Sequence, residues 1–195
     1  MSKSRLEAFS DGVIAILITI MVLEFKTPHD PTFAALAGLA PLFAVYVLSF
    51  VYLGIYWANH HHLFHAATRI SGGVLWANLH LLFWLSLVPF VTWWMAEHCT
   101  AAVPTAVYAA VLLCDAVAWT LMKNALVRLE GPDSRVGRAV GRDVKGRVSL
   151  ALYIAAIALA FVRPWIAQAL VAVVALMWLV PDRRIEAVLA EPALR

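Results

Sequence analysis

Uncharged apolar runs of about twenty residues, the length needed to cross a hydrocarbon core of roughly 30 Å, recur along the chain between short polar breaks. One runs from Phe33 to Asn59. The next runs from Ile70 to Ala96 and stops at Glu97, and another from Ala101 to Met122 is interrupted only by Asp115. Val148–Val162 and Pro164–Val180 read as a helical hairpin turned at Arg163-Pro164, since proline suits the first turn of a helix, where its missing N–H costs nothing. Each arm is slightly short by charge-free count, and polar residues at either end can extend it.

The run nearest the N-terminus is different. Only the twelve residues Gly12–Leu23 are uncharged between Asp11 and Glu24, about 18 Å of helix at 1.5 Å per residue. Such a helix is too short to face lipid all round. Yet Arg5, Phe9, Val13, Ile16, Ile20 and Leu23 continue a helical pattern until Thr27-Pro28. A helix with carboxylates at membrane depth belongs in a bundle interior or beside a water-filled cavity, so this helix is expected to carry the function. The pattern as a whole predicts an all-α membrane protein, six transmembrane helices in a single domain over residues 1–195.

On a helical wheel Ile16, Thr19, Ile20 and Leu23 fall within one sector of about 100°, with Asp11 roughly 130° from its middle. Two readings fit this stripe. Periodicity alone favours ordinary apolar packing. The other reading is a hydrophobic constriction, in which branched side chains from several subunits narrow a pore and gate it by dewetting.

Composition agrees with lipid as the main solvent: 63% of residues are hydrophobic and 14% charged, with a mean hydropathy of +0.82, against about 25% charged in a soluble domain. The net charge of +3 does not point to nucleic acid, because the basic residues are gathered in short stretches between apolar runs. With the N-terminus in the cytoplasm, that side holds Lys3, Arg5, Arg69, the seven basic residues from Lys123 to Arg147, and Arg183, Arg184 and Arg195. Only Lys26 and Arg163 fall on the other side, which predicts a multi-pass protein of the cell membrane with both termini cytoplasmic. Glu7 and Asp11 stand where a signal peptide needs a basic and then an apolar stretch, so the first helix is expected to be retained. Cys99 and Cys114 form no ligand-like pair. Glu130–Arg147 reads as the one substantial loop, a basic cytoplasmic connector near anionic headgroups whose glycines do not fit a phosphate-binding loop.

Several polar residues interrupt the apolar pattern. Arg5, Phe9, Ser10 and Asp11 cluster at the start of the first helix. Arg5 and Asp11 are six positions apart and so are not same-face partners. A helix-packing clamp is the preferred reading, with partners for Asp11 sought in His60, His61, Asn78 or His80. His61 and His65 have an i,i+4 spacing that can bind zinc, but no nearby carboxylate or cysteine completes a site, and no metal or cofactor is expected. Asp115 is a lone intramembrane acid, open to pairing with Lys123 or a histidine.

The stretch Arg5-Leu-Glu-Ala-Phe9-Ser10-Asp11 resembles the RxxxFSD signature of the transmembrane protein 175 family of potassium channels, which has lysosomal members and bacterial relatives. The likeness continues through VIAILITIMVLEFKTP and the Trp57, His60, His61 and Phe64 pattern of the second span. The resemblance implies a homotetramer whose first helices surround a central pore without a carbonyl filter. Potassium is then the permeant ion and membrane lipid the surroundings. It places the first bottleneck at Ile16, the next pore layers at Ile20 and Leu23, and a pore hydroxyl at Thr19. It gives RxxxFSD a role in tying the first helix to its neighbours, with Trp57, His60, His61, Asn78 and His80 as possible partners. The rival class is a proton-coupled cation transporter relaying through Asp11, Asp115 and the His60–His65 cluster, although the internal repeats and broken helices usual in transporters are not evident. No Ser/His or metal constellation suggests an enzyme.

Overall fold

The computed structural model describes residues 2–141 and 143–180. Arg142, Arg183, Arg184 and Arg195 of the charge argument, and the C-terminus, lie outside the described residues. Within them the chain is helical, with no strand. The helices are α1 (Lys3–Leu23), α2 (Phe33–Ala37), α3 (Ala40–Ala66), α4 (Gly72–Leu85), α5 (Val88–Glu97), α6 (Ala102–Glu130), α7 (Arg135–Val140), α8 (Val144–Ala160) and α9 (Pro164–Leu179).

Local chemistry sets the ends. The Ser2 hydroxyl accepts from the Arg5 amide to cap α1, and Ser71 does the same for α4 through Val74. Pro41, Pro89 and Pro164 sit in the first turns of α3, α5 and α9. Pro89 cannot donate back to Leu85, so the third apolar run bends at Ser86-Leu87 into α4 and α5. Counted as one unit, Gly72–Glu97 joins α1, α3 and α6 as the helices long and apolar enough to cross a membrane, while α9 is apolar but shorter.

The first helix runs for 21 residues through Asp11, along the helical pattern that begins at Arg5, and ends at Leu23, ahead of Thr27-Pro28. Three sequence expectations change. The second span begins only at Ala40, after the separate short α2, and continues past Asn59 to Ala66. The fourth extends past Met122 to Glu130, since Lys123 is ion-paired with Asp143 and does not end the helix. Glu130–Arg147 is not one loop: Ser134 caps α7 within it, and Asp143, in the left-handed region at φ 39°, caps α8 by accepting from the Gly146 amide at 3.1 Å.

The long α6 is the centre of the bundle, packed on α4, α5, α8 and α9, with α8 and α9 paired as a hairpin. By contrast, α1 lies at the edge and packs on α3, α4 and α5. That peripheral position gives α1 one face against the protomer and one away from it.

Candidate functional site

The two faces of α1 have different chemistry. Leu6, Ser10, Ile14, Leu17 and Met21, spaced four, four, three and four apart, are its buried residues, as one packing stripe of an α-helix requires. Ile16, Thr19, Ile20 and Leu23 all lie on the other side, and Ile16, Ile20 and Leu23 are 57%, 40% and 78% exposed in the isolated protomer. The Thr19 hydroxyl donates to the Ile16 carbonyl at 2.9 Å and reaches that of Ala15 at 3.1 Å. Its proton is thus committed to the backbone, and the oxygen keeps lone pairs to accept from, or coordinate, something outside the helix.

The buried stripe is fastened at Ser10. Its hydroxyl donates to the Leu6 carbonyl at 2.9 Å and accepts from the Asn78 amide at 3.0 Å. The Asn78 carbonyl oxygen lies 2.9 Å from His60 Nε2, and the His60 ring packs on Phe64 with centroids 4.4 Å apart. Ser10, His60 and Asn78 are each at most 1% exposed, so one dry chain of hydrogen bonds ties α1, α3 and α4 together. Such bonds cost more to break than to forgo, because each abandoned partner stays buried and unpaired.

Asp11 lies one residue, or about 100°, further round the helix and takes a different partner. The Trp57 indole donates to Asp11 Oδ1 at 3.1 Å, at an exposed position. The expectation that His60, His61, Asn78 or His80 holds this carboxylate is therefore corrected. His60 and Asn78 are engaged with each other and with Ser10. His80 accepts from the Trp84 indole at 2.9 Å, and His61 is exposed beside the rings of His62 and His65. Phe9 and Arg5 are also exposed. Among the described residues no group of three or more His, Cys, Asp or Glu side chains gathers as a metal site.

Asp115 is fully buried, and neither carboxyl oxygen has a hydrogen-bond partner. Pairing with Lys123 fails because eight residues along a helix is about 12 Å and the lysine is taken by Asp143. The proposed relay of Asp11, Asp115 and the histidines is consequently not joined: Asp11 binds Trp57, His60 binds Asn78, and Asp115 stands apart.

Two features escaped the sequence reading. Ser49 bonds to the Tyr108 hydroxyl at 2.9 Å and accepts from Thr92 at 2.7 Å, a buried cluster locking α3, α5 and α6. Single hydroxyls inside separate apolar runs were its only signal. The second is a groove of about 530 Å³ between α1 and α5, walled by Leu17, Ile20, Phe90 and Trp93, with Glu24 and Glu97 also lining it. Glu97 had been visible only as the end of a span.

The model of the family described as "Endosomal/lysosomal potassium channel TMEM175" matches residues 5–89. A potassium channel of Chryseobacterium sp. (strain P1-3) is 48% identical over 98% of this chain and all of its own length. The crystal structure of a lysosomal potassium-selective channel TMEM175 homolog from Chamaesiphon minutus superposes with a TM-score of 0.78 at 32% identity, covering 91% of this chain and 96% of that one. The endosomal/lysosomal proton channel TMEM175 of Homo sapiens is 38% identical over 87 residues, which is 37% of this chain and 17% of that protein.

Proposed function

This chain belongs to the TMEM175 family of potassium channels, and on that premise we propose that it is a potassium channel of the cell membrane, with α1 from each of four identical subunits surrounding a central pore. Each subunit crosses the bilayer six times, through α1, α3, the α4–α5 unit, α6, α8 and α9, with the basic end in the cytoplasm. At 17 and 16 residues, α8 and α9 are about 24–26 Å long. The Lys145 and Arg147 side chains in the first turns of α8 can snorkel to the headgroups and make up the difference.

The observation that carries this reading is the exposed edge of α1. Ile16, Ile20 and Leu23 share that edge with Thr19, and Arg5 and Asp11 on the helix and Glu24 at its C-cap are exposed as well. Charged groups on a spanning helix belong toward an aqueous path or another subunit. Four Ile16 side chains form the narrowest ring, with Ile20 and Leu23 beyond it. A ring of branched aliphatic side chains holds no stable water, so an ion must shed part of its hydration to pass. Potassium does this more cheaply than sodium, and the outward lone pairs of Thr19 replace part of what is lost. Glu24 and Glu97 on the groove beside Ile20 raise the local cation concentration at the outer mouth.

The test is flux in liposomes holding purified protein. Currents are expected to reverse with the potassium gradient and to be indifferent to an imposed proton gradient. Proton movement stoichiometric with potassium would instead favour the coupled transporter.

A further inference from the structure

At the basic end of the bundle α8 packs mainly on α6 and α9 and meets α3 through the Tyr52–Tyr153 ring contact, and a shallow crevice runs beside that contact. Its deeper part is lined by Ile55, Tyr56 and Tyr153. Its mouth is lined by Lys123, Asp143 and Lys145. Asn59, Trp119 and Trp178 line both parts, which places the two side by side. The ammonium of Lys145 lies 5.8 Å from the centre of the Trp178 ring, and the indole of Trp178 is fixed by donating to Ser149 at 2.9 Å.

Three properties limit the occupant. The free volumes of the deep part and the mouth are about 30 and 50 Å³, far below the roughly 300–1,000 Å³ of a pocket that encloses a small molecule. A ligand must therefore lie along the groove and not inside it. The mouth carries two lysines against one aspartate, a surplus positive charge. Below it the walls turn aromatic and aliphatic, with tryptophans at the boundary, where amphipathic rings meet the headgroup level of a membrane.

We propose that this crevice holds one anionic phospholipid, its phosphate against Lys145, whose ammonium also donates to the Val180 carbonyl at 2.7 Å, and an acyl chain laid along the half-buried Ile55 and Trp119, over the buried Tyr56 and Tyr153. A soluble phosphate would use the mouth and gain nothing from the rest. The site rests on α3 and α8 crossing the membrane but not on α1 lining the pore.

Native mass spectrometry of the delipidated full-length protein tests it, with phosphatidylglycerol and phosphatidylcholine of identical acyl chains as probes. The wild type is expected to retain phosphatidylglycerol about five-fold more strongly, the effect of one surplus lysine near a lipid surface. Lys145→Gln, which keeps the Lys123–Asp143 pair, is expected to abolish that preference without altering potassium selectivity. Ala116→Trp, which fills the crevice wall without changing charge, is expected to lose both lipids. Glycerol phosphate in large excess is expected to displace neither. Equal retention of the two lipids by the wild type, an undiminished preference in Lys145→Gln, full retention in Ala116→Trp, or displacement by glycerol phosphate would each overturn the proposal. Lipid loss with intact selectivity would leave the pore reading standing.

Discussion

Trp57 Nε1 donates to Asp11 Oδ1 at 3.1 Å across 46 positions of sequence, while the neighbouring Ser10 turns inward to Asn78. Two adjacent residues, about 100° apart round the helix, thus hold α1, one at an exposed position and one in a dry core. The exposed bond fixes the rotation of the helix, and the buried one fixes its depth against α3 and α4.

Loss of the exposed bond is expected to be mild within a protomer and larger in the assembly. Trp57→Phe is expected to cost about 0.5–1.5 kcal/mol, read as a small fall in melting temperature in detergent. Asp11→Ala is expected to lower the tetramer fraction, measured by size-exclusion chromatography with light scattering, before it changes ion selectivity. A normal tetramer with altered selectivity would move Asp11 from the packing clamp into the conduction path.

The buried chain is expected to be far less forgiving. Asn78→Leu strands the buried His60 ring nitrogen, at about 1–3 kcal/mol, and leaves Ser10 only its bond to the Leu6 carbonyl. Ser10→Ala removes a single hydroxyl and is expected to cost less. Thermal melts that rank the two in the reverse order would show that Asn78 is not the centre of the network.

How much of this was legible beforehand follows from which partners a sequence can display. The grouping of Ile16, Thr19, Ile20 and Leu23 needs only the helical repeat, and Pro164 announced the start of α9 without any tertiary knowledge. The length of α6 is not legible in that way, because counting charges treats Lys123 as a helix end, whereas it is satisfied by Asp143 on another element. The Ser49, Thr92 and Tyr108 cluster was hidden similarly, since each hydroxyl alone looks like a tolerated polar residue in an apolar run.

Asp115 offers a test of burial without partners. Both oxygens are dry and unbonded, so an apolar side chain of similar size removes a desolvation cost of about 1–3 kcal/mol. Asp115→Leu is expected to melt no lower than the wild type. A clear drop would reveal a partner for the carboxyl that forms only in the assembled protein.

Thr19 is expected to matter for throughput. Thr19→Val keeps the shape but removes the oxygen offered to a partly dehydrated ion, a contact of about 1 kcal/mol, or roughly five-fold. Single-channel potassium conductance is expected to fall by at least about that factor, with the tetramer intact. Unchanged conductance would leave Thr19 bonded only to its own helix.

The central claim, that the exposed edge of α1 encircles the permeation path, is tested most directly by the reversal potential in planar bilayers with potassium on one side and sodium on the other. The wild type is expected to reverse strongly toward the potassium potential. Ile16→Asn, which places amides in the narrowest ring, is expected to shift the reversal potential toward zero as sodium permeability rises. An unshifted reversal potential in Ile16→Asn channels that still carry current would contradict the account.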